Sequence, residues 1–265
     1  MGHTDHERRR LSLQAQALNP ITRDLFQRAG IAPGMRVLDL GCGVGEVSLL
    51  AARMVGASGS VTGVDIDRNA LEIARGRVDV EGLAHTDFVE GNIAEFGDGA
   101  PYDAVVGRLI LIHTQDAGAV ARHAASLVRS GGIVAFQDFD LAHRLYPYPP
   151  KPLMDRCGDL FVEFFTRAVP AADMGMRLFR LLTDAGLEQP ECRVEAPVSG
   201  GPDSTMYEWF AETMRTLLPK MEAMGMVTAA EMDLETLAER LREEAVRIGG
   251  NACGPILVSA SARKR

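Results

Sequence analysis

The sequence lacks long apolar runs and a signal-peptide pattern, which argues against two classes of protein. No stretch of its 265 residues approaches the ~18 uninterrupted apolar residues that a membrane-spanning helix needs. The N-terminal run MGHTDHERRR leads into a mixed helical pattern and not into an apolar segment. We therefore expect a cytoplasmic protein that has no membrane partner.

Cysteines and basic patches are also scarce. The four cysteines are widely separated, with no C-x-x-C pair and no Cys/His group at metal-ligand spacing, so we expect reduced thiols and no metal site. The formal net charge is −8, and the one basic run, Arg8–Arg10, is offset by acids elsewhere. This charge disfavours a nucleic-acid partner, because a phosphate backbone attracts a positive surface. A hydrophobic fraction of 46% suffices for a core without disulfides.

Between residues 35 and 138, short β-rich runs alternate with helical stretches, which predicts βαβ units and a parallel sheet. The predicted strands cover residues 36–40, 60–65, 86–90, 102–107 and 132–138. Helices are predicted over 44–54, 68–79 and 116–128, and an N-terminal helix over 6–29 is expected to break near Asn19-Pro20.

The second half of the chain has a different pattern. A proline-rich run follows Asp138 and predicts a loop that leaves the sheet. Helices are then predicted over 153–169, 174–185, 204–224 and 229–248, and strands over 187–198 and 254–262. Thr228 and Glu231 have the spacing of a capping box at the start of the last helix.

A glycine-rich turn in VLDLGCGVGEVSLL joins an apolar strand to a helix, which predicts a close approach of the backbone to a ligand. A dinucleotide fingerprint that starts at Gly41 requires a third glycine where Glu46 stands. An acid at a helix N-terminus repels pyrophosphate. The turn therefore argues against a nicotinamide-dependent oxidoreductase.

Two carboxylates indicate which ligand the turn accepts. Asp39 precedes Gly41 by two residues and favours a ligand that carries an ammonium group. Asp65 ends the second strand, 24 residues after Gly41, where a carboxylate commonly accepts hydrogen bonds from both ribose hydroxyls. Capping of the next helix is the alternative role for Asp65 and for Asp67. S-adenosylmethionine has an ammonium, a ribose and no phosphate, so this single ligand explains both acids.

Five motifs stand in a characteristic order within residues 35–138: VLDLGCGVG, GVDID, FVEGNIAEF, YDAVVGRLILIHTQD and LVRSGGIVAFQDFD. Together they resemble class I S-adenosylmethionine-dependent methyltransferases, in particular the bacterial methyltransferase-domain group of quinone-biosynthesis and natural-product enzymes. The resemblance implies an α/β fold with a seven-stranded, mostly parallel Rossmann-like sheet, helices on both faces and helical lid insertions. It also implies S-adenosyl-L-methionine as cofactor and S-adenosyl-L-homocysteine as its product.

The resemblance divides the chain into six segments. They are an N-terminal helical cap (1–30), the S-adenosylmethionine-binding core (31–140), a helical lid insertion (141–170), a core continuation (171–199), a second helical lid insertion (200–253) and the last core strand (254–265). The lid segments are rich in aromatic residues and methionine, which predicts an apolar acceptor pocket if these side chains do not serve only the packing of the insertions. A homodimer is left open.

The resemblance also assigns cofactor-binding residues. It places the methionine part on Asp39 and on the backbone of Gly41, Cys42 and Gly43, the ribose on Asp65, and the adenine on Ile66, Asn92 and Ile93. Asn92 stands where the family usually has Asp, yet its amide oxygen can still accept from the adenine amino group. Arg108 lies where the family's main chain meets the methionine ammonium, and its side chain alternatively supports the loop. Gln14 binds either the cofactor carboxylate or another protein group.

The loops after the fourth and fifth strands contain the candidates for a general base. They carry His113, Asp138, Asp140, His143 and Tyr146. His143 is the preferred base because its ordinary pKa suits proton transfer near neutrality. His113 belongs to the family's R-x-x-x-x-H pattern and is either a base or a structural hydrogen-bonding residue.

The predicted function is methyl transfer to a small-molecule acceptor, with oxygen favoured over nitrogen or carbon, on a hydrophobic secondary metabolite. Two alternatives use the same fold. One is an S-adenosylmethionine-bound cyclase or isomerase that keeps the methyl group, and the other is a non-catalytic cofactor-binding protein.

Overall fold

A seven-stranded sheet flanked by helices is the main feature of residues 5–265, the part of the chain that the computed structural model describes. Residues 1–4 of the predicted cap lie outside the described residues. The strands of this sheet are β1 (Arg36–Leu40), β2 (Ser60–Asp65), β3 (Thr86–Glu90), β4 (Tyr102–Arg108), β5 (Val128–Asp140), β6 (Glu188–Glu195) and β9 (Ile256–Arg263). A separate pair, β7 (Val198–Gly200) and β8 (Asn251–Cys253), is antiparallel.

The strand order is β3-β2-β1-β4-β5-β9-β6. Strands β1 to β5 pair in parallel, whereas β9 runs antiparallel to β6. The runs in β1, β4 and β5 are almost continuously buried, as expected for strands covered on both faces. The predicted fold class, a seven-stranded and mostly parallel α/β sheet, is confirmed.

The helices agree in position with most of the sequence predictions. They are α1 (Asp5–Ala29), α2 (Glu46–Val55), α3 (Arg68–Glu81), α4 (Ala117–Leu127), α5 (Pro152–Ala168), α6 (Met174–Asp184), α7 (Met206–Ala223), α8 (Ala229–Met232) and α9 (Leu234–Ile248), with a short 3₁₀ turn at Leu111–His113. Thr228 and Glu231 form the predicted capping box at the start of α8. None of the helices within residues 5–265 is long and apolar enough to cross a membrane.

Three elements differ from the sequence predictions in their continuity, and β5 (Val128–Asp140) is longer at both ends than the strand predicted over 132–138. Helix α1 continues through Pro20, because a proline removes only one helical hydrogen bond and buried leucines on both sides, Leu18 and Leu25, hold the helix in place. The strand predicted over 187–198 divides into β6 and β7. The helix predicted over 229–248 is interrupted at Asp233, whose φ of 46° is left-handed.

The chain forms two compact units. The sheet unit comprises Asn19–Phe139, Met174–Glu195 and Leu257–Arg265, and the helical unit comprises residues up to Leu18, Asp140–Asp173 and Ala196–Ile256. In the sheet unit, α2 and the C-terminal half of α1 contribute Leu50 and Phe26 to a core that also contains apolar side chains of the central strands. This core fixes the sheet whose carboxyl end carries the predicted cofactor residues.

The helical unit brings segments from the two predicted lid insertions together. The buried carboxylate of Glu244 in α9 accepts hydrogen bonds from the amides of Leu153 and Met154, at 3.0 and 3.1 Å, and so caps the N-terminus of α5. Phe161 of α5 contacts Phe210 of α7, with 6.3 Å between the ring centroids. The position of these helices over the sheet stays a prediction.

Candidate functional site

The glycine-rich turn lies between β1 and α2, and it requires glycine for two physical reasons. Gly41 has a φ of 70°, and a Cβ at this position would stand 2.4 Å from Cδ1 of Ile110. The amides of Gly41 and Cys42 both donate to the carbonyl of Val64, at 2.8 and 3.1 Å. The amide of Gly43 donates to Oδ2 of Asp65 at 2.8 Å. These three amides are occupied within the protein, so they are not offered to a phosphate.

Asp39 lies in the buried part of β1, one residue before the strand ends at Leu40 beside this turn. Its side chain is 1% exposed, and Oδ2 accepts a hydrogen bond of 2.6 Å from the hydroxyl of Ser48 in α2. Oδ1 is buried and has no hydrogen-bond partner. Burial raises the pKa of Asp39 to about 7 against the opposing effects of the Ser48 hydroxyl and the charge of Arg108, and the negative charge of Asp65 raises it further.

Asp65 and Asp67 have separate roles at the end of β2. The two carboxylate oxygens of Asp65 accept from the amides of Gly43 and Asp67, at 2.8 and 2.9 Å. Asp67 is the N-cap of α3 and accepts from the amides of Asn69 and Ala70. The capping alternative is therefore correct for Asp67, whereas Asp65 links the two turns that follow β1 and β2.

The residues predicted to face an adenine surround the end of β2 and the turn after β3. Ile66 is apolar, yet its side chain is 75% exposed. It lies between Asp65 and Asp67, whose carboxylates both accept hydrogen bonds from backbone amides. Asn92 is exposed and its Oδ1 accepts from the amide of Ala94 at 3.0 Å, which leaves a second lone pair on that oxygen. Ile93 is half-buried.

Arg108, the last residue of β4, belongs to a hydrogen-bond network at the carboxyl end of the sheet. Its Nη1 donates to Oδ1 of Asn19 and to Oγ1 of Thr22, both at 2.9 Å. The Thr22 hydroxyl donates to Oε1 of Gln137 at 2.7 Å, and Gln137 in turn donates to the hydroxyl of Ser259. The network therefore joins α1, β4, β5 and β9 within the sheet unit.

Comparison with known proteins supports the interpretation of this geometry. Residues 31–160 match the family model described as a methyltransferase domain. Methyltransferase GfsG of Streptomyces halstedii is 35% identical over 127 residues, which are 47% of this chain and 45% of that protein. O-methyltransferase cnsE of Penicillium expansum is 30% identical over 171 residues, 63% of this chain and 57% of that protein.

Residues 31–160 form a class I methyltransferase domain. S-adenosylmethionine is the methyl donor of this family. It has no phosphate, which agrees with a glycine turn whose amides already donate to protein acceptors. The solved structure of the cyclase SpnF has the same fold, with a TM-score of 0.58, 19% identity and coverage of 94% of this chain and 82% of that one. The matches to GfsG and cnsE span about half the length of those proteins.

The other predicted site residues lie outside the glycine turn of the methyltransferase domain. His113 is exposed at the end of the 3₁₀ turn in the sheet unit. Gln14 is half-buried in the helical unit, where its Oε1 accepts from Arg10 at 3.0 Å, so a protein partner exists for it. His143 is also in the helical unit, and its Nδ1 lies 2.9 Å from Oδ2 of the buried Asp140.

Several residues of the domain's site were not predicted from the sequence. Ser48, Asn19 and Thr22 contact the site through partners that are distant in the chain. Of these, only Thr22, a polar residue on the α1 face that also carries Leu18 and Leu25, gives a sequence signal for a polar contact. No group of three or more His, Cys, Asp or Glu side chains within residues 5–265 is arranged to hold a metal ion.

Replacement of single glycines tests the close approach of Ile110 to the turn. Gly41 and Gly43 both have positive φ, but only a Cβ at Gly41 meets Ile110, whereas a Cβ at Gly43 has no heavy atom within 4 Å. We expect Gly41→Ala to lower the free energy of unfolding by about 1 to 3 kcal/mol more than Gly43→Ala does. Urea denaturation of both variants measures the difference, and equal losses would contradict the contact.

Proposed function

We propose that this chain transfers a methyl group from S-adenosylmethionine to a hydroxyl oxygen of a small, largely apolar molecule. One observation carries the proposal: the buried carboxylate of Asp39 has an oxygen without a partner beside a glycine turn whose amides are already occupied. Such a site lacks a hydrogen-bond donor that carries positive charge. The ammonium of the methionine part supplies this donor.

The remaining residues of the sheet unit fit the other parts of the same ligand. In the proposal, the half-buried carboxylate of Asp65 accepts from the ribose hydroxyls while it keeps its bonds to the amides of Gly43 and Asp67. The exposed Ile66 covers one face of the adenine, and Asn92 and Ile93 border the ring. The backbone of Gly41, Cys42 and Gly43, together with the main chain of Arg108, bounds the methionine part.

His143 serves as the general base in this proposal. Because Asp140 is buried and bonded to Nδ1 of His143, it fixes the tautomer that carries its proton on Nδ1 and leaves Nε2 free to accept a proton. The amide of Ala142 donates to Asp140 at 3.0 Å and holds the carboxylate. The imidazole is 71% exposed, so an acceptor molecule can reach it.

S-adenosylmethionine supplies an activated methyl group on a sulfonium, so the protein contributes alignment, exclusion of water and proton removal. The acceptor hydroxyl loses its proton to Nε2 of His143 as its oxygen forms the bond to the methyl carbon. The carbon–sulfur bond breaks at the same time, and its electron pair stays on sulfur.

The helical unit supports an apolar acceptor. Its α5 and α7 carry Phe161, Phe165 and Phe210, which are half-buried and lie close together, with 4.7 Å between the centroids of Phe161 and Phe165. Such rings favour planar apolar molecules. The names of GfsG and cnsE, a methyltransferase and an O-methyltransferase, support methyl transfer, with oxygen as the acceptor atom. A cyclase activity, suggested by the fold shared with SpnF, predicts a product whose mass equals that of its substrate.

Calorimetric titration tests the donor site. We expect S-adenosylmethionine and S-adenosylhomocysteine to bind and NAD not to bind. Asp65→Asn is expected to lose about tenfold or more in affinity for both ligands, because one carboxylate oxygen becomes a donor. Asp67→Asn is the matched control, since asparagine also caps a helix and Asp67 binds only the start of α3. Binding of NAD, or equal affinities of the two variants, would overturn the proposal.

The affinity for S-adenosylhomocysteine is expected to depend on pH through Asp39. Because the pKa of Asp39 is raised to about 7, this carboxyl is protonated below pH 7 and cannot pair with the ligand's ammonium. The affinity therefore falls by up to about tenfold for each pH unit below 7 and is constant above it. Titrations between pH 5.5 and 8.5 measure this dependence. In Asp39→Asn the dependence disappears; if it persists there, another group is responsible.

Methyl transfer to 2-naphthol tests the role of His143. His143→Gln is expected to lower kcat about 10² to 10⁴-fold with unchanged binding of S-adenosylhomocysteine, because proton removal is lost. With 2-naphthylamine as acceptor the loss is expected to be smaller, since a neutral amine attacks without prior deprotonation. His113→Gln is the control. Equal effects of the two substitutions, measured by mass spectrometry of the product, would contradict this assignment.

A further inference from the structure

The segment that follows β4 is held by two consecutive residues near the end of β5, Gln137 and Asp138. The amide of Leu109 donates to the carbonyl of Gln137 at 2.7 Å. The amide of Leu111 donates to Oδ2 of Asp138 at 2.9 Å. The chain therefore turns over the end of β5 and begins the 3₁₀ turn Leu111–His113 there.

The backbone of this segment adopts a strained conformation that these two hydrogen bonds hold in place. Leu109 has a φ of 55°, in the left-handed region, which costs a non-glycine residue on the order of 1 kcal/mol or more. A conformation of this kind persists only where neighbouring bonds hold the backbone on both sides. The Leu109–Gln137 and Leu111–Asp138 bonds do this, and Leu111 itself is fully buried.

Ile110, between these two anchored residues, contacts the glycine turn. A Cβ on Gly41 would stand 2.4 Å from Cδ1 and 2.5 Å from Cγ1 of Ile110, so the isoleucine side chain occupies the space that glycine leaves open. The hydrogen bond to Asp138 is one residue along the chain from this contact. The position of Ile110 over the turn thus depends on the carboxylate of Asp138.

The carboxylate of Asp138 is a hydrogen-bond acceptor in a fully buried environment. It is 0% exposed, and its Oδ1 has no hydrogen-bond partner. Burial raises the pKa of Asp138 to about 7, while the hydrogen bond from the Leu111 amide and the nearby amides of Ile112, Ile110 and Phe139 act in the opposite direction. The Leu111 amide is therefore the hydrogen-bond donor to this carboxylate, at the first residue of the 3₁₀ turn.

We propose that Asp138 is a positioning residue of the methyl-transfer site, which holds Ile110 against the glycine turn and thereby shapes the wall beside the donor's methionine part. It acts through the backbone of residues 109–111 and not through contact with the reacting atoms. This inference rests on the proposed function.

Two substitutions separate the hydrogen bond from the charge. Asp138→Asn keeps an acceptor oxygen but loses the charge, and Asp138→Leu keeps the branching at Cγ, is larger and has no acceptor. We expect exchange of the Leu111 amide hydrogen to be about tenfold faster in the Asn variant and about a hundredfold faster in the Leu variant. Exchange of the Val105 amide in β4 is the control and is expected to stay unchanged.

Binding of S-adenosylhomocysteine shows whether this local change reaches the donor site. The affinity is expected to fall less than about threefold in Asp138→Asn and about tenfold or more in Asp138→Leu. Combined with Ile110→Ala, the Asp138→Leu substitution is expected to cost little more than either change alone, because both disturb the same contact. A merely structural role predicts additive losses, and additivity within about twofold would overturn the proposal.

The outcomes distinguish this inference from the proposed function. If the wild-type protein does not bind S-adenosylhomocysteine, the proposed function fails, and unchanged Leu111 exchange in Asp138→Asn would additionally refute the anchoring by Asp138. If the wild-type protein binds and the Asp138 variants bind equally well, only the positioning role fails. If Asp138→Leu does not fold, faster Leu111 exchange with intact Val105 protection in Asp138→Asn supports the inference, and equal Leu111 exchange overturns it.

Discussion

A buried carboxylate at the end of the central strand is the constraint on which the sheet unit depends. Asp39 cannot be solvated at its position, so the fold must supply partners for it from other elements. Helix α2 supplies the hydroxyl of Ser48, which fixes the rotation of that helix about its axis. The end of β4 supplies the positive charge of Arg108, which itself needs Asn19 and Thr22 from α1. Polar contacts as well as apolar packing therefore connect the elements around the glycine turn.

The sequence was most informative where a local pattern has a local cause. Strands β1 to β4 are short β-rich runs, and their predicted bounds agree with the structure to within one residue. The glycine turn and Asp67 at the start of α3 follow rules of backbone geometry and capping that act within a few residues. The resemblance to a family came from the same motifs, and it predicted a sheet that includes β6 and β9.

Long-range contacts were the part that could not be predicted. Thr22 and Gln137 are 115 positions apart, and Asp138 and Leu111 are 27 apart, so no periodicity connects them. The continuity of α1 through Pro20 depends on apolar contacts on both sides of the proline, which overrule the local preference for a break. The helix is interrupted at Asp233 because this residue is left-handed. Aspartate tolerates that conformation but does not require it, so the sequence does not predict the break.

The hydrogen bond between Asp140 and His143 has a consequence for how acceptor choice can vary. Asp140 is the last residue of β5, so the carboxylate that orients the imidazole belongs to the strand and not to the loop that follows. The proline-rich loop and the aromatic residues of α5 begin only beyond His143. Insertions of different length or composition can therefore replace one another after this point without moving the imidazole, which is the general base in the proposed function. Under the proposed function, a chain of this design can change the molecule that it admits while it keeps the same chemistry.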